Sequence, residues 1–188
     1  MQSINPPDPL AILRKYYAPG TLVYEILVTH SNMVAEKALS IARRMRHLHP
    51  DEQWIQEAAM LHDIGILFTN EPRIGCFGTR EYICHGFLGG ELLKREGLST
   101  HALVCERHVG IGLTAQDIAE KNLPLPARDM IPLSLEEKII CFADKFFSKS
   151  PDYLRKEKPL GLVRTGISHY GREKLQVFDA WAEIFGLS

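Results

Sequence analysis

The stretch AAMLHDIGILF, residues 58–68, sets a histidine and an aspartate side by side at the end of an otherwise apolar run. Asp51 stands where an N-cap is wanted for EQWIQEAAMLHD, and Trp54, Ala58 and Leu61 recur at helical spacing within it. Gly65 then suits a left-handed residue just past the helix end, which leaves His62 and Asp63 in the last turn. A polar pair at the end of a buried face costs free energy unless a cation or strong donors meet it. The rest of the chain has to say what does.

Working outward, apolar spacing favours helices nearly everywhere. PDPLAILRKYYAPG offers Asp8 as an N-cap, Pro9 at the first helical position and Gly20 beyond the end. From Thr21 the pattern reads as a short helix reaching a boundary near His30, followed by a longer one with Val34, Ala38, Ile41 and Met45 on one stripe. Pro50 closes that unit. The stretch after HDIG, up to about Ile83, holds glycines and a proline with weak periodicity and reads as a long loop of the kind that borders a site. Further helices are expected from HGFLGGELLKREG, Ser99, Thr114 and Ser134, where S-L-E-E has the capping-box arrangement with Glu137. SPDYLRKEKPLG reads as an exposed connection, and two closing helices follow, broken near Gly171. No alternating strand pattern of useful length and no repeat is present. The expected fold is a compact all-α bundle with residues 1–188 in one domain.

Composition narrows the function. Lys and Arg number 22 against 23 acidic residues in a chain of 188, so the basic excess of a nucleic-acid binder is missing and no polymeric nucleic acid is expected as partner. The N-terminus lacks a basic-then-apolar leader pattern and no apolar run approaches about 18 residues, so no membrane association is expected. Cys76, Cys84, Cys105 and Cys141 are scattered without a C-x-x-C pair and read as reduced, buried thiols of a cytoplasmic protein.

Among the eight histidines, position sorts ligands from surface. His47 and His49 in RHLHP, His101 near a helix start and His169 beside Tyr170 read as surface residues. His30, His62, His85 and His108 each stand where an apolar face ends, and Asp144 sits inside IICFADKFF, where an unpaired carboxylate is costly. Any one of these histidines alone is more simply a core imidazole bonded to a backbone carbonyl. Four imidazoles with Asp63 and Asp144, spread over several helices, make metal coordination the better explanation of the set.

The order His30, then His62–Asp63 within LHDIG, then Asp144 in CFADK resembles the HD-domain superfamily of metal-dependent phosphohydrolases, in its HDIG subgroup, and His85 and His108 match members with a two-metal centre. HGFLGGELLKREG, ERHVGIGLT, LPLPARDMIP and LEEKIICFADKF carry the likeness further, over a motif core of about residues 27–150, with helices over 160–186 packing on it. The resemblance implies that His30, His62, Asp63 and Asp144 hold one metal and that His85 and His108, with Asp63 bridging, hold a second. Asp63 has two oxygens and can join two cations, whereas a neutral imidazole serves one. Two cations about 3.5 to 4 Å apart would activate a hydroxide and clamp a phosphoryl group, with Asp63 and His62 as the catalytic pair. Mixed imidazole and carboxylate ligands suit iron, manganese, zinc, nickel or cobalt better than magnesium. The implied substrate is a small phosphorylated metabolite of the nucleotide class. A di-iron oxygenase of the same fold, or a nucleotide-binding sensor without turnover, shares the ligand set.

Phosphate would need cations beyond the metals. Lys145 follows Asp144 and is the first candidate, with Arg107, Arg73 and Arg80 behind it, each weighed against an ordinary solvated charge. The position after HDIG is Ile66, where many relatives carry lysine or arginine, so any contact from there must come from elsewhere. Trp54 and Trp181 read as core, and nothing marks an oligomeric state.

Overall fold

The computed structural model describes residues 6–187. Within them the chain forms ten α-helices: α1 Pro9–Tyr16, α2 Leu22–Arg44, α3 Glu52–Leu61, α4 His85–Arg95, α5 Ser99–Arg107, α6 Ala115–Glu120, α7 Leu135–Asp144, α8 Pro151–Leu154, α9 Leu160–Ser168 and α10 Arg172–Ile184. The architecture is all-α, as expected. Its only sheet among the described residues is a two-residue hairpin in the long loop, β1 Asn70–Glu71 against β2 Cys76–Phe77, paired Asn70 to Phe77 and Glu71 to Cys76. No described helix is long and apolar enough to cross a membrane.

The helix starts follow local chemistry. Asp8 accepts from the Ala11 amide at 3.1 Å and Asp51 from the Trp54 amide at 2.9 Å, each satisfying a donor that the first turn leaves free. The Ser134 hydroxyl accepts from the Glu137 amide at 3.1 Å, but the reciprocal half of the expected box is not made. Glu137 instead accepts from the Leu133 amide at 3.0 Å, one residue before the cap, and from the Arg107 guanidinium at 2.9 Å. The complete capping box belongs to Thr114 and Asp117 at the start of α6.

Two expectations need correction. The stretch 22–44 is one unbroken helix of 23 residues, and His30 lies in its middle. It contains no proline or glycine, and Leu27, His30, Ser31 and Val34 continue a single buried stripe, so nothing interrupts it. Gly65 does not take a left-handed conformation. It lies in a 3-10 turn, Ile64–Phe68, and is small because a Cβ there would come 2.1 Å from the His85 carbonyl oxygen and 2.4 Å from the Gly89 amide nitrogen.

Helix α2 packs on α3 and α7, α4 on α5, and α9 on α10. The apolar side chains divide into two main clusters. One joins α2, α3, α7 and α10 through Ile41, Ile55, Phe142 and Phe178, with the last two rings stacked at 4.8 Å. The other gathers Leu13 of α1, Leu27, Leu61, Ile64 and Leu93. Each such side chain contributes about 1.5–3 kcal/mol by leaving water. His30 falls between Leu27 of one cluster and Val34 of the other, and His62–Asp63 between Met60 and Ile64. The polar residues thus occupy the seam between two cores, where rigid packing on both sides fixes them.

Candidate metal centre

Helix α3 ends at Leu61, and His62 and Asp63 turn the chain into the 3-10 segment. Tyr17 pins that turn, its hydroxyl donating to the Ile64 carbonyl at 2.6 Å and accepting from the Leu67 amide at 3.1 Å. Helix α4 approaches α5 over a glycine face: a Cβ on Gly86 would lie 2.5 Å from the Cys105 carbonyl oxygen. This close approach brings His85, at the start of α4, to His108, just past the end of α5, with their Nε2 atoms 3.1 Å apart.

Three imidazoles are oriented by backbone carbonyls. His62 Nδ1 donates to Ala59 at 2.7 Å, His85 Nδ1 to Tyr82 at 2.6 Å and His108 Nδ1 to Cys105 at 2.8 Å. A carbonyl only accepts, so the proton of each neutral ring is on Nδ1 and the Nε2 lone pair faces inward. The His85 and His108 lone pairs therefore oppose each other at a distance that only a proton or a cation between them makes favourable.

Asp63 lies at the centre of the arrangement. Its Oδ2 is 3.0 Å from His62 Nε2 and 3.2 Å from His30 Nε2, while its Oδ1 is 3.2 Å from His85 Nε2 and 3.5 Å from His108 Nε2. Asp144 Oδ1 completes the first side at 3.0 Å from His30 Nε2. Ligand atoms of His30, His62, Asp63 and Asp144 all lie within 4.8 Å of one another, as do those of Asp63, His85 and His108. Among the described residues, both Asp63 oxygens and His62 Nε2 are buried without a hydrogen bond of acceptable geometry. Buried polar atoms are rarely left so, and the donor set of imidazole nitrogens and carboxylate oxygens fits metal ions.

The electrostatics show the same demand for positive charge. Burial alone would raise the Asp63 pKa, but the charged His62 and Lys149 hold it well below the usual carboxylate range; for Asp144, Lys145 does the same against burial. Burial would lower His62, yet Asp63 and Asp144 raise it to about 9. His108 goes the other way, pushed by burial to about 4 despite Asp63. One imidazole of the cluster thus carries a proton in the metal-free protein while another stays neutral.

The centre opens into a cavity of about 970 Å³. Lys145 lines it, with its ammonium donating to the His108 carbonyl at 2.9 Å and to Asp144 Oδ2 at 2.7 Å. Arg73 also lines it but is exposed and paired with Glu71 at 2.8 Å. Arg107 is drawn off to Glu137, and Arg80 is exposed; neither lines the cavity. Ile66 is fully buried and does not line the cavity, so it offers nothing to a ligand. The cation that sequence reading missed is Lys149, 2.5 Å from Asp63 Oδ2, together with Lys158, whose ammonium donates to the Phe147 carbonyl at 2.9 Å on the cavity wall. The available signal was a pair of lysines, 145 and 149, closely following a carboxylate embedded in apolar sequence.

His101 needs correction: it is buried, its Nε2 3.2 Å from Glu57, because α5 packs that face against α3. His47, His49 and His169 are exposed, and all four cysteines are free and buried. Trp181 is in the core and Trp54 packs at its margin.

The family model of the HD domain matches residues 27–148. The chain belongs to the HD-domain family. It is 35% identical over 126 residues to an uncharacterized protein of Methanocaldococcus jannaschii, covering 65% of this chain and 67% of that one. It is also 32% identical over 126 residues to a tRNA (cytidine(56)-2'-O)-methyltransferase of Picrophilus torridus, and 30% identical over 143 residues to that of Thermoplasma volcanium. Those matches cover 66% and 76% of this chain but only 32% and 37% of the methyltransferases. No solved structure matches the chain.

Proposed function

We propose that the protein is a metal-dependent phosphohydrolase acting on a small phosphorylated metabolite of the nucleotide class, with two metal ions shared through Asp63. The observation that carries this reading is the division of the Asp63 carboxylate, one oxygen facing His30 and His62 and the other facing His85 and His108. His30, His62, Asp63 and Asp144 would hold one ion, and Asp63, His85 and His108 the other. Divalent cations bound there supply Lewis acidity toward a phosphoryl oxygen and toward water. The protein supplies position and charge. The carbonyl-anchored histidines keep the ligand lone pairs converged, Asp63 orients the attacking water, and Lys145, Lys149 and Lys158 give the cavity the positive lining that an anionic ester requires. That lining suits an anionic substrate, as a phosphate ester is.

Two of the relatives are named as tRNA methyltransferases, and this chain corresponds to about a third of each. A region shared with RNA-modifying proteins makes ribonucleotides the first esters to try. With a net charge of −1 the chain has no polymer-binding excess, so mononucleotides are favoured over RNA.

Metal analysis of anaerobically purified protein, followed by phosphate release from a panel of nucleotides and phosphate esters, tests the reading. His85→Ala or His108→Ala should remove one ion and keep the other. Retention of both ions in each variant sinks the shared-carboxylate assignment. Iron loading without phosphate release from any ester sinks the hydrolase.

A further inference from the structure

The metal-ligand residues that line the cavity lie inside the family match, but part of the lining does not. That part includes α9, which begins twelve positions beyond residue 148. Leu162, Gly166 and Tyr170 stand at i, i+4 and i+8 along α9 and just past its end, a spacing that places them on one side. All three line the cavity, as do Val163 and Ile167 beside them, which are buried and also join the core. Leu162 is 44% and Tyr170 56% exposed, so the stripe faces open space beside a charged centre, with the Lys121 ammonium 5.8 Å over the Tyr170 ring. Ile83 and Val109 line the same space.

Several polar groups elsewhere on the cavity lining are already engaged. The Ser148 and Ser150 hydroxyls bond each other at 2.7 Å, Arg73 pairs with Glu71, and Lys158 donates to a backbone carbonyl. On the stripe itself the neutral hydrogen-bonding side chain is Tyr170, whose hydroxyl can donate or accept and so does not discriminate between bases. Gly166 leaves the centre of the stripe open: a Cβ there would meet nothing within 4 Å.

We propose that the α9 stripe is the subsite for the organic part of the substrate, and that it takes a flat or apolar group of nucleoside size by shape and contact, without reading base identity. This rests on the phosphohydrolase reading for the position of the phosphate. A cavity of about 970 Å³ is large enough for a phosphate at the metal centre and such a group against α9. Gly166 is the residue that sets the size limit, because any larger side chain at the middle of the stripe occupies the space the organic group needs.

The test is Gly166→Trp. The substitution meets no neighbouring atom at Cβ and replaces glycine inside a helix with a better helix former, so folding is preserved. Thr165→Trp, on an exposed position that does not line the cavity, is the control. Steady-state kinetics of the metal-loaded protein are measured with adenosine monophosphate, uridine monophosphate, phenyl phosphate and glycerol phosphate. Wild type should prefer the first three, with the two nucleotides comparable. Gly166→Trp should raise KM for those three by at least roughly tenfold and leave glycerol phosphate within about twofold, with Thr165→Trp changing neither. Unchanged nucleotide KM in Gly166→Trp, or an equal loss on all four esters, overturns the subsite. If no ester is hydrolysed, the hydrolase reading falls, and calorimetric titration with adenosine monophosphate decides the subsite separately. Weaker binding to Gly166→Trp than to wild type supports it, and equal binding overturns it.

Discussion

Replacing Gly65 by alanine adds one methyl group at the point where the site is assembled. The new Cβ would lie 2.1 Å from the His85 carbonyl oxygen, 2.4 Å from the Gly89 nitrogen and 2.8 Å from the Gly89 Cα, all backbone atoms that cannot rotate away. An ordinary contact begins near 3.4 Å, so the turn after Asp63 and the start of α4 must part by roughly 1 Å. Overpacking of this kind costs about 3 kcal/mol when only backbone can yield. For a chain of this size that lowers Tm by roughly 6–12 °C. The displaced elements carry Asp63 and His85, whose ligand atoms are 3.2 Å apart, so the second ligand set should lose metal before the first. Thermal unfolding by circular dichroism and metal content by mass spectrometry read both effects. Gly161→Ala, where a Cβ meets nothing within 4 Å, should be neutral or gain up to about 1 kcal/mol. A Gly65→Ala protein that melts within about 1 kcal/mol of wild type and keeps its metal stoichiometry would refute the close-approach argument.

The metal-free protein should be most stable near pH 6.5. His62 is raised from 6.5 to about 9, so its contribution is full below 6.5 and is lost as pH climbs through 9; His108 is lowered from 6.5 to about 4, so its contribution is full above 6.5 and is lost as pH falls through 4. At about 1.4 kcal/mol per pH unit each limb is worth on the order of 3 kcal/mol, and urea melts of chelator-treated protein from pH 4 to 9 should show a dome; a flat profile would remove the histidine cluster as a source of stability. Lys149→Met takes away the ammonium nearest to the buried Asp63 carboxylate, so the metal-free variant should lose about 3 kcal/mol. Saturating manganese should recover most of that loss, since the cation replaces the missing charge; an equal deficit with and without manganese in thermal melts would show that Lys149 does not serve Asp63.

Much of the fold was legible because its signals are local. Asp8, Asp51, Thr114 and Ser134 stand at helix starts where a side-chain oxygen can reach a free amide three residues on, and the apolar spacing of α3, α7 and α10 needs no distant partner to be seen. The break expected at His30 was an error of the same local reading. A histidine after an apolar run looks like a boundary, and only the continuation of the buried stripe through Ser31 and Val34 shows a helix that passes beneath a site. His101 was misplaced for the matching reason: a position near a helix start, after Ser99 and Thr100, says surface, while Glu57, 44 positions away, supplies the partner that makes burial tolerable.

By itself the sequence determined an all-helical chain of the HD family and the six residues from which a metal centre can be built, because residue type, order and short-range spacing are properties of the chain alone. Tertiary structure decided the rest. It chose which lone pairs converge, through carbonyls that orient each imidazole, and it drew Arg107 to Glu137 while placing Lys149 against Asp63. It also changed the meaning of the glycine in AAMLHDIGILF, from a residue that ends a helix to one that lets two backbones touch. Charge pairing and close packing depend on distances between residues far apart in the chain, and those distances exist only once the two apolar cores have closed around the seam.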